Sequence, residues 1–386
     1  MGISLKLNDE TQAIHGHDYH DEFGSRIPSI HLSVMFEQRG EANKSDRNVD
    51  LKYSREENPT VRYLEKVISK LEKAEDSLAF SSGMAAIASL YLNSLSSGDE
   101  AVVTCEAYGT TVKLLEYLSK FGVKAKIVLP SAEEIASAVT KDTKLVFVES
   151  MTNPTLKVID LDHVKDSIKG KAEFVIDNTF LSPVLFKPIE RGADAVIESL
   201  TKYLSGHNDV IGGIIAGKKE KILQLWETRR MTGSIMSPFN AYLTLRGLKT
   251  LYARIRIQQE SSLKIAKYLL NNHKIEEVMY PCLESDPYYN LAKKYFNGCG
   301  GVISFKVKGG KEEAITVLKN LKLIIPSPSL GGTESIMTYP VLSASSSLND
   351  DCKKKLGITE NLLRLSVGLE NPEDIISDLE GALSFI

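Results

Sequence analysis

Apolar residues recur along this chain with two periods. Ala101-Val102-Val103-Thr104, Lys126-Ile127-Val128-Leu129, Leu145-Val146-Phe147-Val148-Glu149, Phe174-Val175-Ile176 and Ala195-Val196-Ile197 are short apolar and β-branched runs, read as buried strands. Helical stretches at residues 110–120 and 132–139 lie between them. Strand–helix alternation with short connections predicts a parallel sheet covered on both faces. Upstream, Leu64, Val67, Ile68 and Leu71 form an amphipathic stripe, and Pro59 with Thr60 marks the helix start. A long helical segment from Ser237 to about Leu270, with Pro238 near its start, reads as a connector. Strands at 277–280, 301–307, 321–325 and 362–367, with helices near 311–319 and 372–384, then predict a smaller, mostly antiparallel α/β domain. No G-x-G-x-x-G follows the first strand, so the nicotinamide-binding fingerprint is missing.

Length and charge narrow this picture. The 386 residues exceed one usual core, so the expected division is an N-terminal arm at 1–50, a large domain at 51–240 and a C-terminal domain at 241–386. A net charge of −3 with interspersed signs argues against nucleic-acid or membrane partners. Cys105, Cys282, Cys299 and Cys352 are widely spaced and form no CxxC, so free thiols are expected and no metal site. The N-terminus has no apolar signal core and no later run approaches a membrane span, which points to the cytoplasm. Met1-Gly2 begins a myristoylation pattern that Lys6 breaks, and Asn43-Lys44-Ser45 is a sequon of consequence only in a secreted protein. His15, His17, His20 and His31 fit no single helix face; with Asp18 and Glu22 they read as a solvated arm rather than a metal site.

Candidate chemistry gathers around Glu198-Ser199-Leu200-Thr201-Lys202-Tyr203, which follows the strand at 195–197 and precedes the glycine-broken apolar hairpin Val210–Gly217. Lysine amines form Schiff bases with carbonyl cofactors, and a packed setting lowers the amine pKa. By itself Lys202 reads rather as a solvated loop lysine. Two upstream segments change that. Phe174-Val175-Ile176-Asp177 places a carboxylate at the end of a buried strand, the edge where open α/β sheets bind ligands. A pyridoxal phosphate (PLP) site needs such a carboxylate to keep the ring nitrogen protonated. Ser81-Ser82-Gly83-Met84 opens an apolar helix, where backbone N–H groups receive an anion and glycine lets a phosphate approach.

In this order the segments resemble the γ-family of PLP enzymes of cysteine and methionine metabolism, which includes cystathionine γ-synthase, cystathionine γ-lyase, methionine γ-lyase and the homoserine sulfhydrylases. The resemblance runs from about His31 to Glu370. It also rests on Tyr53-Ser54-Arg55-x-x-Asn58-Pro59-Thr60, Tyr108-Gly109-x-Thr111, Glu149-Ser150-x-x-Asn153-Pro154, Ser329-Leu330-Gly331-Gly332-x-Glu334-Ser335 and Leu363-Arg364-Leu365-Ser366. It implies the α/β fold type I of PLP-dependent transferases, aspartate aminotransferase-like. That fold has a large, mostly parallel sheet of the seven-stranded type and a smaller C-terminal α/β domain. Pyridoxal 5'-phosphate is the implied cofactor, joined to Lys202, paired with Asp177, stacked by Tyr108 and held by Gly83, Met84, Ser199 and Thr201. Tyr108 and Lys202 are the implied catalytic residues. Tyr53 and Arg55 are expected to reach a neighbouring subunit's phosphate, which implies a homo-oligomer with shared sites, a tetramer of paired dimers. Asn153 is expected at the cofactor's ring hydroxyl and, with Ser329 and Arg364, at the substrate's α-carboxylate. A lone arginine in an apolar strand agrees with that role, since burying it costs energy unless it is paired.

Specificity is expected beside these motifs. Lys52 precedes Tyr53, Lys113 follows Tyr108 by five, and Pro328 precedes Ser329; Lys52 with Pro328 is similar to plant-type cystathionine γ-synthases. Two cations near the substrate's γ-end favour an acidic leaving group, phosphate or succinate. The expectation is γ-replacement on an O-activated homoserine by cysteine, with cystathionine or methionine γ-elimination, or sulfhydrylation, as the alternative. Glu56-Glu57, where the family more often has Ser-Gly, is expected beside the substrate channel.

Overall fold

The computed structural model describes residues 7–16, 19, 21–38, 45–47, 51–168, 170–346 and 348–386. Met1-Gly2, Lys6, His17, Asp18, His20 and Asn43-Lys44 lie outside them. Its strands are β1 (Asp76–Phe80), β2 (Glu100–Thr104), β3 (Lys124–Val128), β4 (Thr143–Glu149), β5 (Glu173–Asp177), β6 (Ala195–Ser199), β7 (Gly213–Gly217), β8 (Ile275–Met279), β9 (Val302–Val307), β10 (Ile325–Pro326), β11 (Ile336–Thr338) and β12 (Leu362–Ser366). Seven of these belong to the larger sheet and five to the smaller. The chain forms two interleaved units, Met1–Ser94 with Lys187–Tyr252 and Leu95–Phe186 with Ala253–Ile386.

In the first unit β7 runs antiparallel between β1 and β6. The helix Pro59–Leu71 starts where Asn58 accepts the Thr60 amide, and its apolar stripe is buried. The carboxylates of Glu57, Glu65 and Asp76 fix the surrounding loops by surrounding two arginines. Arg47 reaches Glu57 at 3.1 Å, Glu65 at 3.3 Å and Asp76 at 3.0 Å. Arg229 meets Glu65 at 2.7 Å and Glu57 at 3.4 Å. Burial opposes the charge on Arg47, yet Glu65, Glu57 and Asp76 outweigh it and hold the guanidinium above its ordinary pKa. Glu57 therefore belongs to a buried ion network rather than to a substrate channel. Glu56 is buried too and accepts the Ser45 amide at 2.7 Å. Both acids serve the interior because arginines far along the chain converge on them.

In the second unit β3, β2, β4 and β5 are parallel neighbours in that order. Strands β2 and β4 are buried almost throughout, as expected of strands covered on both faces. The smaller sheet runs β10-β11-β12-β9-β8, antiparallel except where β10 joins β11.

Three local expectations are corrected. The helix after Ser237 is two helices, Pro238–Leu248 and Leu251–Leu270. The first ends at Leu248, and the backbone of Gly247 just before its end approaches Ser205 so closely that a Cβ there would lie 2.9 Å from the Ser205 carbonyl carbon. The stretch at 321–325 is mostly not a strand, because the Asp378 carboxylate takes the amides of Lys322, Leu323 and Ile324 at 2.8–3.0 Å. Cys282 and Cys299 are not free thiols but a disulfide, their Cα atoms 5.8 Å apart where the chain folds back between β8 and β9. Among the described residues no helix is long and apolar enough to cross a membrane.

Glu72 closes the helix Pro59–Leu71, buried against Glu198 with Lys187 and Glu190 nearby and Tyr252 sensing its charge. Burial pushes its carboxyl up to about 7. The folded state thus keeps a proton that the unfolded chain releases above 4.5, so stability present below 4.5 is lost as pH rises to about 7 and is flat beyond. Replacing Glu72 by Gln is expected to remove that loss, leaving the variant roughly 2–4 kcal/mol the more stable at pH 8 and nearly equal at pH 4.5. Urea midpoints at the two pH values check this; an equal gap at both would contradict it.

Candidate active site

Strand pairing in the first unit builds a cradle. Phe80 at the end of β1 and Ser199 at the end of β6 both register with Gly213 at the start of β7. The segments leaving β1 and β6 therefore emerge side by side. The first is Ser81-Ser82-Gly83, opening the helix Gly83–Ser94, where the Ser82 hydroxyl accepts the Ala85 amide at 3.0 Å. Gly83 and Met84 thus occupy the first helical turn, the part of a helix whose backbone N–H groups suit an anion. The second is Leu200-Thr201-Lys202. The Thr201 hydroxyl accepts the Gly212 amide at 3.2 Å and donates to the Gly212 carbonyl at 3.3 Å. The Lys202 carbonyl accepts the Gly206 amide at 2.8 Å, so the lysine sits in a closed turn, half-buried.

Glycine is required at Gly213 and closely packed at Gly83. A Cβ on Gly83 would lie 3.3 Å from the Ser199 Cβ. A Cβ on Gly213 would strike the Ser82 carbonyl oxygen and lie 2.6 Å from its carbon and 2.7 Å from the Gly83 Cα. Gly213 was not among the expected site residues; its signal was the glycine pair interrupting an apolar run.

Tyr53 and Arg55 stand on the loop before the helix Pro59–Leu71. Arg55 is exposed, lies 5.6 Å from the Tyr53 ring centre and donates to the Arg230 carbonyl at 2.7 Å. Lys52 is half-buried, with its amide donating to the Ser45 hydroxyl at 2.8 Å.

The second unit assembles the remaining candidates in two groups. In the first, Glu149 ends β4 and Asp177 ends β5, in register on neighbouring parallel strands. Asp177 accepts the Thr179 amide at 3.0 Å; burial raises its carboxyl, and the bonds from Thr179 oppose that rise. Glu149 accepts the Tyr108 amide at 2.7 Å, while the Tyr108 ring is 50% exposed and free to meet a planar ligand. Lys113 lies exposed on the helix Gly109–Leu118 that Tyr108 opens.

The second group centres on Arg364, buried in β12. It donates to the Asn153 side-chain oxygen at 2.6 Å, the Ser329 carbonyl at 2.9 Å and the Thr338 hydroxyl at 3.3 Å. Ser329 meets Arg364 through its carbonyl, with its backbone at φ 103°. Thr338 pairs with Arg364 across β11 and β12; it escaped notice because a three-residue strand leaves no periodic trace.

Each unit by itself carries residue types that pyridoxal phosphate calls for. The first unit supplies helix-start amides, hydroxyls, a lysine and a backbone floor that only glycine permits, the donor set of a phosphate cradle. The second supplies a partly buried carboxyl for a protonated pyridine and an arginine suited to a carboxylate. Comparison with known proteins agrees. The family model of the Cys/Met metabolism PLP-dependent enzymes matches residues 10–384. The chain is 38% identical to mouse cystathionine gamma-lyase over 97% of its own length and 94% of that protein's. It is also 38% identical to L-methionine gamma-lyase of Fusobacterium nucleatum subsp. nucleatum over 97% and 98%. The crystal structure of cystathionine gamma synthase from Xanthomonas oryzae pv. oryzae in complex with cystathionine superposes with a TM-score of 0.93 at 35% identity, covering 98% of each chain.

The two glycines are expected to respond differently to alanine. Gly213→Ala meets backbone that cannot yield and should cost about 2 kcal/mol or more, whereas Gly83→Ala meets the Ser199 side chain at 3.3 Å, a tight contact that a shift of a few tenths of an ångström relieves, and should cost under about 1 kcal/mol. Urea unfolding of the cofactor-free variants measures both; equal losses would show that Gly213 is not a close contact.

Proposed function

Because the chain belongs to the Cys/Met metabolism family of PLP-dependent enzymes, we propose that it performs γ-replacement on an O-activated homoserine, phospho- or succinyl-, with cysteine as acceptor, forming cystathionine. The cofactor is pyridoxal 5'-phosphate, whose protonated ring takes up the electron pair left when an α-proton departs. The observation that carries the reading is Arg364, a buried guanidinium set among the Asn153 amide oxygen, the Ser329 carbonyl and the Thr338 hydroxyl, suited to an amino acid's α-carboxylate.

Other roles follow from placement. Gly83, Met84, Ser199 and Thr201 hold the phosphate, and Asp177 keeps the ring nitrogen protonated. With its oxygen occupied by Arg364, Asn153 presents its NH₂ to the ring hydroxyl. Lys202 would hold the cofactor through its aldehyde and, once released, would take the α-proton. A second proton must leave Cβ before the γ-substituent can depart, because Cα alone is one carbon too far; Lys202 and the Tyr108 phenol would move it. Tyr53 and Arg55 serve the phosphate of a neighbouring copy, so the working form is a homo-oligomer, a tetramer of paired dimers. Lys52 and Lys113 attract the acidic γ-substituent. The functional parts are the arm 1–50, the cofactor-binding part 51–240 and the C-terminal part 241–386. We place the protein in the cytoplasm. A second reading, γ-elimination of cystathionine or methionine, draws on the two γ-lyase relatives at 38% identity.

Lys202→Ala is expected to abolish both turnover and the visible absorbance that borohydride removes from the wild type; a variant keeping a tenth of the wild-type rate would overturn the assignment. The two readings separate on Lys52→Ala. It should raise KM for O-phosphohomoserine on the order of tenfold to a hundredfold, the worth of one charge-assisted hydrogen bond, and leave uncharged O-acetylhomoserine nearly unaffected. Steady-state assays with each ester and cysteine, and with cystathionine alone, check this. An unchanged phospho-ester KM together with faster turnover of cystathionine alone would favour elimination.

A further inference from the structure

Glu149 and Asp177 end neighbouring parallel strands in register, so their side chains stand on one face about one strand spacing (roughly 4.8 Å) apart. Glu149 is 6% exposed. One of its oxygens accepts the Tyr108 amide at 2.7 Å, and the other is buried and makes no hydrogen bond. Glu106, two residues before Tyr108, brings a third carboxyl to the same region, held by the Thr155 amide at 3.0 Å and by the charge of Lys157. Carboxyls this close and this dry do not all ionise. Asp177 is half-buried and is met by both the amide and the side chain of Thr179, so it holds charge more cheaply than Glu149, which is buried and has only the Tyr108 amide. Glu149 has one amide for two oxygens. A buried neutral hydroxyl lacking an acceptor costs far less than a buried anionic oxygen lacking a donor.

We propose that Glu149 is a positioning residue, a neutral carboxylic acid that anchors the Tyr108 backbone and, by keeping the shared proton, leaves the negative charge on Asp177. Two consequences follow, the second resting on the cofactor reading given above. Tyr108 opens its helix with its amide tied to the end of β4, so its ring is presented at the sheet edge from a fixed origin. The charge that Asp177 needs opposite a protonated pyridine is undiluted by a second anion beside it. Burial and the neighbouring Asp177 agree in holding the Glu149 carboxyl well above its ordinary range.

The experiment has a cofactor-free arm and a loaded arm. For the cofactor-free protein, stability against pH is compared between wild type and Glu149→Gln. The groups facing position 149 are Asp177 from β5 and, from the loop after β2, Glu106 with Lys157 behind it and the Tyr108 amide. A carboxyl protonated in the folded state and ionised in the unfolded chain makes stability fall as pH rises from about 4.5 toward the folded pKa. The wild type should therefore lose up to about tenfold in its folding equilibrium constant per pH unit relative to Glu149→Gln. Parallel curves would overturn the proposal. In the loaded enzyme, Glu149→Ala should shift the visible absorbance and its pH profile and lower kcat at least tenfold, with KM for the amino acid changed less than threefold. Glu149→Gln, which keeps neutrality and an acceptor for Tyr108, should restore most of both. A Gln variant as impaired as Ala would show that position 149 must be charged and would equally overturn it. A wild type with no borohydride-sensitive absorbance would overturn the cofactor reading while leaving the first arm to judge the protonation of Glu149.

Discussion

A charge inside a protein must be partnered or neutralised, and that requirement organises both units of this chain. In the first, Arg47 and Arg229 are held among Glu57, Glu65 and Asp76. The network ties the segment before the helix Pro59–Leu71, the helix itself and the first residue of β1 to one point. Removing one member would leave its partners buried and uncompensated, typically a loss of about 3–5 kcal/mol, although the intact network need not exceed an apolar core in stability. Its worth lies in specification. The strand leading into the Ser82–Gly83 turn, and the loop carrying Tyr53 and Arg55, are set by interactions that tolerate little displacement.

In the second unit the same requirement is met by chemistry rather than by counterions. Arg364 is surrounded by an amide oxygen, a carbonyl and a hydroxyl. Such acceptors solvate a guanidinium without cancelling its charge, which suits a site that must attract a carboxylate. The carboxyl groups at the ends of β4 and β5 resolve their mutual repulsion by unequal environments, one dry and singly bonded, the other more open. Parallel strands bring this about directly, since equivalent register positions deliver side chains to one face at one edge.

Close backbone approach is the second recurring device. Gly213 lets the segments leaving β1 and β6 meet over one floor, and Gly247 lets a helix end against the turn that carries Lys202. Each acts by the absence of a side chain, so each is invisible to arguments about what side chains do. The clasp of Thr201 on Gly212 shows the complement, a hydroxyl satisfying both backbone groups of a residue eleven positions away.

Much of the chemistry was written in contiguous residues. Lys202 after Ser-x-Thr, Asp177 at the end of an apolar run, and Gly83 at a helix start are local patterns with local physical meaning. The sequence therefore determined the α/β alternation, the family and the cofactor. What it did not determine depends on partners distant along the chain. Strand β11 is too short for a period, and Asp378 captures three amides more than fifty residues away that propensity assigned to a strand. Cys282 and Cys299 meet only because the chain folds back between β8 and β9, and Glu57 is read beside a substrate channel until Arg229 is brought to it. Register put Glu149 beside Asp177, and their unequal burial then decided which carboxyl keeps a proton. Propensity and motif act over a few residues, whereas desolvation, charge pairing and backbone contact depend on distance in space, which only the tertiary structure sets.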